Sequence, residues 1–466
     1  MARVHLIGIC GTAMGTLAAL LKHRGFDVRG SDEKVYPPMS DFLAAEGIPI
    51  LQGYKAEHIE DGLDFVVVGN AISRGNAELE AVLDRKMRHV SLPEALREHF
   101  LWQARSVVIA GTHGKTTTSS LAGWLLTHAG TDPTVFIGGI ARNFGDGGSS
   151  YRIGAVDAPF VIEGDEYDSA FFDKTAKFLK YLPDIAVINN IEFDHADIYD
   201  NIDAVRLAFR RLVNLVPRNG LTLIGADSPD AAALAAGARS RVQTFGTGAG
   251  FDWRAADIQA AGASTAFRVL ENATDHGVFV VPLVGAHNVR NALAAIAVGR
   301  ACGVAIDTLR DGLAEFRGVK RRLEVVGERR EVVVYDDFAH HPTAVTETLT
   351  ALRAAQPERR IWAIFEPRSA SSCRRIFQDD FARAFRGADQ VVIASVFRSS
   401  LAAHERLSED DLVTDLRAHG VAARHLPDVD TIVREVAGEA KAGDIVVVMS
   451  NGGFDGIHGK LLEALG

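Results

Sequence analysis

Cysteine is scarce in this chain, with three among 466 residues, at Cys10, Cys302 and Cys373. No Cys-x-x-Cys pair is present, which excludes a zinc ribbon or a dithiol redox centre and reads as reduced cytosolic thiols. Also lacking is an apolar run of about 18 residues, the length a membrane-crossing helix needs. The opening Ala2 to Gly8 has neither the apolar core nor the cleavage site of a signal peptide and reads as a strand entering a glycine turn. Basic charge is outweighed too: 50 Lys and Arg face 60 Asp and Glu, a net charge of −10. A general nucleic-acid surface is therefore excluded, and any anion must be bound locally. Short repeats and low-complexity tracts are missing apart from Ala-rich stretches such as Ala231 to Ala238, read as helical. What remains, 47% hydrophobic and 24% charged residues, is a globular composition. At about 150 residues per domain the length predicts three domains of a soluble, cytoplasmic protein.

Short apolar strands alternate with amphipathic stretches three times over, the rhythm of parallel α/β sheets. The first series has strands at Val4 to Ile7, Val28 to Gly30 and Phe65 to Val68, with a helix near Met14 to His23. The second has Val107 to Ala110, Phe160 to Ile162, Ile185 to Ile188, Leu221 to Ile224 and Val242 to Phe245. Period-two stretches between Phe251 and Leu283 predict an antiparallel addition, followed by a helix from Asn288 to Cys302. The third has Val332 to Tyr335, Ile361 to Phe365, Val391 to Ala394 and Ile445 to Met449. Boundaries near residues 105 and 320 give domains 1–105, 106–320 and 321–466.

The sharpest motif is Gly111-Thr112-His113-Gly114-Lys115-Thr116-Thr117, where the strand ending at Ala110 turns into a helix. Such a loop aims backbone N–H groups and a helix dipole at phosphate oxygens; Lys115 neutralises the β and γ phosphates and Thr116 ligates Mg²⁺. Its first glycine, Gly111, stands two residues later than the general pattern places it, so the loop is a shortened variant. The loop favours nucleotide triphosphate binding over a glycine turn that merely closes an α/β unit, without choosing among ligase, GTPase, transporter and kinase.

Two later strands end in oxygen-rich clusters. Glu163-Gly164-Asp165-Glu166-Tyr167-Asp168 follows one and Asn190-Ile191-Glu192-Phe193-Asp194-His195 the next. Neighbouring strand ends of a parallel sheet can share one metal site. Glu163 is the first choice for a metal ligand beside phosphates, with His195 as a second; Asp165, Glu166 and Asp168 are equally consistent with a solvated acidic loop. At the N-terminus, Gly8, Gly11 and Gly15 are spaced by three and four, unlike the dinucleotide fingerprint, so NAD is disfavoured while a diphosphate on a bare turn fits. His340 and His341 read as polar loop residues rather than zinc ligands, because no cysteine or third histidine is near them in sequence.

Together with Gly285-Ala286-His287-Asn288-Val289-Arg290-Asn291, Arg321-Arg322-Leu323-Glu324 and Asp336-Asp337-Phe338-Ala339-His340-His341-Pro342, these motifs resemble the Mur ligase family over essentially the whole chain. The resemblance implies an N-terminal Rossmann-like domain for a UDP-sugar, a central P-loop ATPase with a parallel sheet plus antiparallel strands, and a C-terminal Rossmann-like domain. It implies an ATP- and Mg²⁺-dependent, ADP-forming amide ligase of peptidoglycan metabolism. Gly111, Thr112, His113, Gly114, Lys115, Thr116, Thr117, Asn288, Asn291, Arg322 and Asp337 would bind ATP. Thr116, Glu163 and His195 would hold metal, and Lys115, Glu163 and His195 would be catalytic. Gly8, Gly11, Thr12, Gly15, Ser31, Asp32, Asn70, Ala71 and Ile72 would form the UDP-sugar pocket.

Within the family the chain is most similar to the branch that joins UDP-N-acetylmuramate to the recycled tripeptide L-alanyl-γ-D-glutamyl-meso-diaminopimelate. The alternative is the branch that adds free L-alanine. The stretch Val35-Tyr36-Pro37-Pro38-Met39-Ser40 and the long segment from Glu163 to Tyr181, with Phe171-Phe172-Asp173-Lys174, point to the tripeptide branch. Arg368 is the expected peptide-carboxylate contact. Ser371 stands where a second arginine would grip a free amino acid, and Arg374, Arg375 and Arg398 are candidates for distal carboxylates. Rivals from other classes are a nucleotide-driven switch, which would turn ATP over without sugar or peptide, and an NAD-dependent oxidoreductase.

Overall fold

The computed structural model describes residues 1–37, 39–397 and 401–466; Pro38 and Arg398 lie outside the described residues. Three sheets follow one another along the chain. The first contains β1 (Arg3–Ile7), β2 (Asp27–Asp32), β3 (Ile50–Gln52), β4 (Phe65–Val68) and β5 (His89–Ser91), all parallel, in the order β3-β2-β1-β4-β5. β4 is buried along its whole length, as a parallel strand covered on both faces must be. The order reverses between β1 and β4, so the turns after these strands open a crevice at the sheet's C-terminal edge.

The central sheet is built from β6 (Arg105–Ala110), β7 (Thr134–Ala141), β8 (Ser149–Arg152), β9 (Pro159–Gly164), β12 (Ile185–Ile188), β13 (Leu221–Gly225), β14 (Arg241–Gly246), β15 (Trp253–Ala261), β16 (Ser264–Glu271) and β17 (Thr274–Val281). A separate hairpin, β10 (Asp168–Ala170) with β11 (Asp173–Ala176), projects between β9 and β12. The order β17-β16-β15-β14-β13-β12-β6-β9-β7-β8 places β6 between β9 and β12. The phosphate loop and both acidic clusters therefore emerge side by side at one edge. β15, β16 and β17 form the antiparallel addition expected between Phe251 and Leu283. The C-terminal sheet runs β18-β19-β23-β20-β21-β22, from β18 (Glu324–Arg329), β19 (Val332–Asp337), β20 (Ile361–Phe365), β21 (Gln390–Ala394), β22 (Ala422–Leu426) and β23 (Ile445–Met449). Only β18 is antiparallel to its neighbour in this sheet.

One expected helix differs. Ala231 to Ala238 is a single turn, Pro229–Ala232, followed by the 3₁₀ segment Ala233–Gly237. A piece this short gains too few hydrogen bonds to sustain an α-helix. The helix expected from Asn288 is Ala286–Ala301, buried along most of its length.

One apolar core runs continuously through the first two domains, joining Val4, Leu17 and Phe100 to Phe160, Phe178 and Phe209. A second lies on the opposite face of the central sheet. The C-terminal domain has cores of its own, to one of which Phe193 of the central domain adds a ring.

Candidate active site

Gly111 (φ 139°) and Gly114 (φ 80°) bend the chain from β6 into the helix Lys115–His128. A Cβ on Gly114 would stand 2.4 Å from Asn291 Oδ1, so glycine is required there on both conformational and steric grounds. Neither this helix nor Ala286–Ala301 has a side-chain cap at its N-terminus, and their opening residues line one cavity of ≈ 510 Å³. Two sets of unpaired N–H groups thus converge where an anion would be held.

Lys115 Nζ donates to Gly111 O (2.8 Å), Thr112 O (3.2 Å) and Glu166 Oε1 (3.0 Å). The same Glu166 oxygen meets His195 Nε2 at 3.0 Å. Burial opposes charge on all three groups, yet their mutual attraction wins: Lys115 and His195 are held above their ordinary values and Glu166 below its own. Glu166 is therefore part of the site and not a solvated loop residue. Its pairing with Lys115 is not legible from sequence, because the contact crosses strands.

Thr116 Oγ1 donates to Glu163 Oε1 at 2.8 Å, and Gly138 N to Glu163 Oε2 at 2.8 Å. Burial, then the charge of Asp165, pushes the Glu163 carboxyl up. A hydroxyl beside a buried carboxylate is a hard-oxygen donor pair that fits Mg²⁺. His195 Nε2 is engaged by Glu166, so metal ligation through that nitrogen requires release of the contact.

The C-terminal domain reaches the cavity with Arg322, whose Nη2 lies 3.5 Å from Thr116 Oγ1 and whose guanidinium covers the Phe338 ring at 5.0 Å. Asp337 accepts from Leu323 N (2.7 Å), Ala339 N (2.8 Å) and Thr348 Oγ1 (3.2 Å), which fixes the strand end beside it. Asn291 accepts from Thr118 Oγ1 (3.1 Å) and donates to Asn288 Oδ1 (3.2 Å), so both amides are oriented by the helices they join. Gly111 alone of the proposed ATP residues is not on the cavity wall; its carbonyl acts through Lys115.

From the N-terminal domain Thr12 lines the same cavity. Asp32 accepts from Cys10 N (2.9 Å) and Lys34 N (3.1 Å), tying the turn that holds Gly8 and Gly11 to the end of β2. Asn70 donates to Asp168 Oδ1 at 3.4 Å, next to exposed Ala71, while Ile72 packs beneath Gly8. Ser31 and Gly15 face inward instead. Ser31 Oγ donates to buried Glu78 at 2.5 Å, and a Cβ on Gly15 would meet Met39 Cε at 2.3 Å, so these two build the domain rather than its surface.

Arg368 is not on the cavity wall. Its guanidinium lies 3.7 Å over the Phe397 ring and donates to Glu366 Oε1 at 3.2 Å. Ser371 Oγ donates to Asp194 Oδ1 at 2.5 Å, whereas Arg375 pairs with Asp411 at 3.1 Å. The reading of His341 as an isolated loop histidine is corrected: its ring centroid is 4.8 Å from that of His113, a third histidine brought near by folding.

Residues 3–101 match the Mur ligase family catalytic domain, 109–299 the Mur ligase middle domain, and 321–452 the Mur ligase glutamate ligase domain. The chain is 41% identical to the UDP-N-acetylmuramate–L-alanyl-γ-D-glutamyl-meso-2,6-diaminoheptandioate ligase of Escherichia coli, over 99% of this chain and 98% of the relative. It is 35% identical to the UDP-N-acetylmuramate–L-alanine ligase of Salinibacter ruber, over 97% and 92%. Among solved structures, the murein peptide ligase of Psychrobacter arcticus superposes with a TM-score of 0.73 at 37% identity, over 100% of this chain and 99% of the other. The full-length identity to curated ligases and the three successive domain matches agree with the fold and the phosphate loop: the chain belongs to the Mur ligase family.

Proposed function

We propose that this protein is an ATP-dependent, ADP-forming ligase that joins UDP-N-acetylmuramate to the tripeptide L-alanyl-γ-D-glutamyl-meso-diaminopimelate in the cytoplasm. The observation that carries the reading is a single cavity bounded by Thr12, Lys115 and Arg322, one residue from each domain. The domains correspond to residues 1–105, 106–320 and 321–466. The sugar nucleotide lies along Gly8, Gly11, Thr12, Asp32 and Asn70, with its lactyl carboxylate directed at the triphosphate.

A carboxylate oxygen attacks the γ-phosphorus of ATP, the bond to the β-phosphate oxygen breaks, and ADP leaves. The peptide's alanine amine then attacks the acyl carbon. The tetrahedral adduct expels phosphate, and the amine proton passes to the departing phosphate. Lys115 exchanges its contact with Glu166 for the β and γ phosphates, and Arg322 approaches the same oxygens from the C-terminal domain. Thr116 and Glu163 would hold Mg²⁺, which supplies charge neutralisation on the phosphates. Closure of the three walls excludes water that would hydrolyse the acyl phosphate.

The choice of tripeptide over L-alanine is supported by the higher identity to the diaminoheptandioate ligases, 41% and 40%, than to the alanine ligase of S. ruber at 35%. It is also supported by Ser371, a neutral residue bonded to Asp194, where a free amino acid would need a cation. The test incubates purified protein with ATP, Mg²⁺ and UDP-N-acetylmuramate plus either peptide or L-alanine and weighs the products. The tripeptide adduct is expected; an alanine adduct alone overturns the substrate assignment.

A further inference from the structure

Beside the Thr116–Glu163 pair, three other side chains of metal-ligating type converge from separate segments. His113 of the phosphate loop, Glu192 after β12 and His341 at the start of the helix Pro342–Ala355 each bring one ligand atom within 4.8 Å of the others. Glu192 Oε2 lies 3.2 Å from His113 Nε2 and 3.6 Å from His341 Nδ1. Ligands held tetrahedrally by zinc stand about 3.4 Å apart, so two of these spacings already suit one ion.

His341 Nε2 is 3.2 Å from Phe193 O, and a carbonyl only accepts, so Nε2 carries the proton and Nδ1 presents a lone pair. Nδ1 therefore faces a carboxylate oxygen acceptor to acceptor, with only a weak contact from Thr343 N at 3.4 Å. Glu192 Oε2 is served by His113 Nε2 and Thr343 Oγ1, and a cation among the three side chains would give the Nδ1 lone pair of His341 a partner as well. Phe193 O on one ring and Thr343 Oγ1, donating to Glu192 Oε2 at 2.6 Å, stand where outer partners orient metal ligands.

We propose that His113, Glu192 and His341 bind a borderline transition-metal ion, zinc foremost, at a position separate from the magnesium ligands Thr116 and Glu163, and that this ion ties the C-terminal domain to the phosphate loop. Two imidazoles and one carboxylate favour zinc, cobalt or nickel over magnesium, which prefers oxygen. His113 Nε2 donates to Glu192 Oε2 at 3.2 Å, so binding the ion moves its ring proton to Nδ1 and frees the Nε2 lone pair. Two ligands come from the central domain and one from the C-terminal domain, so occupancy favours the docked arrangement of the pair.

The test titrates Co²⁺ into metal-stripped full-length protein, following its visible absorption, and in parallel measures Tm with Zn²⁺. One Co²⁺ per chain with the absorption of an imidazole-bound ion is expected, together with a Zn²⁺-dependent rise in Tm. Affinity should weaken at least about tenfold in Glu192→Gln and in His341→Asn; asparagine is chosen because it can still cap the helix. Glu163→Gln and His340→Gln should retain the spectrum, and circular dichroism confirms that each variant is folded. Absence of the spectrum in the unmodified protein overturns the proposal. So does its survival in both Glu192→Gln and His341→Asn, or its loss in Glu163→Gln, which would place the ion at the magnesium position.

Discussion

Lys115 and His195 share the carboxylate of Glu166, each at 3.0 Å, in a setting where Lys115 is 11% exposed and Glu166 3%. Replacing Lys115 with alanine removes the cation proposed to meet the transferring phosphoryl group. Ligation measured by product mass should fall at least about 100-fold. Glu166→Gln leaves Lys115 without its counter-charge and should lower unfolding stability by about 3 kcal/mol in urea titrations. The pH dependence has a definite sign. His195 is raised above 6.5, so its contribution is complete below that pH and is lost as pH rises through the folded value. Glu166 is held below 4.5, so its contribution is complete above that pH and is lost as pH falls through the folded value. The difference between unmodified protein and variant should therefore peak between about pH 4.5 and 6.5; a difference that does not vary with pH rejects this account of the pair. The lysine was legible in the sequence because Gly-Lys-Thr is a local pattern. Its partner was not, since the 3.0 Å contact is made only when β6 and β9 lie side by side.

Among the elements, the segment between the two acidic clusters is the least legible and among the most connected. Asp168-Ser169-Ala170 and Asp173-Lys174-Thr175-Ala176 have no apolar alternation, so nothing in them announces the hairpin of β10 and β11. β3 and β5, at three residues each, carry too short a pattern to read, β8 and β18 have no fully buried position, and β7 is interrupted by Gly138-Gly139. The wholly apolar, fully buried strands β4, β12 and β20, by contrast, have in the sequence the bounds they have in the structure. The hairpin tip carries Phe171 and Phe172 to the N-terminal domain, where Phe171 joins a core around Ile59 and Leu79 and Phe172 meets His89 at 5.2 Å. Its base is anchored by Phe178, fully buried against Phe209 at 5.3 Å. Phe178→Ala should cost about 3–5 kcal/mol by denaturant titration. Because the segment also carries Glu166, ligation should fall with it; a stable, fully active Phe178→Ala protein would show that the anchor is dispensable.

The three domains are not joined alike across the whole molecule. The first two share one apolar core, from Val4 and Phe100 to Phe160 and Phe178, and polar bonds such as Tyr151 to Glu46 at 3.1 Å supplement it. The C-terminal domain docks mainly through polar pairs: Arg142 with Glu324, Arg290 with Glu347, Thr343 with Glu192 and Ser371 with Asp194. Its connection leaves Lys320, bonded to Ile140 O, and passes through Arg321 and Leu323, two non-glycine residues at φ 62° and 49°. Interfaces of polar contacts permit relative motion, whereas a shared apolar core resists it. The motion should therefore lie between the second and third domains. Spin labels at exposed positions 57 and 203, with native cysteines replaced by serine, should report one narrow distance that a non-hydrolysable ATP analogue leaves unchanged. Labels at 203 and 410 should give a broad distribution that narrows with the analogue and broadens in high salt, which screens the charged pairs. Movement of the first pair with a fixed second pair would reverse the assignment and place the hinge at the sugar-nucleotide domain.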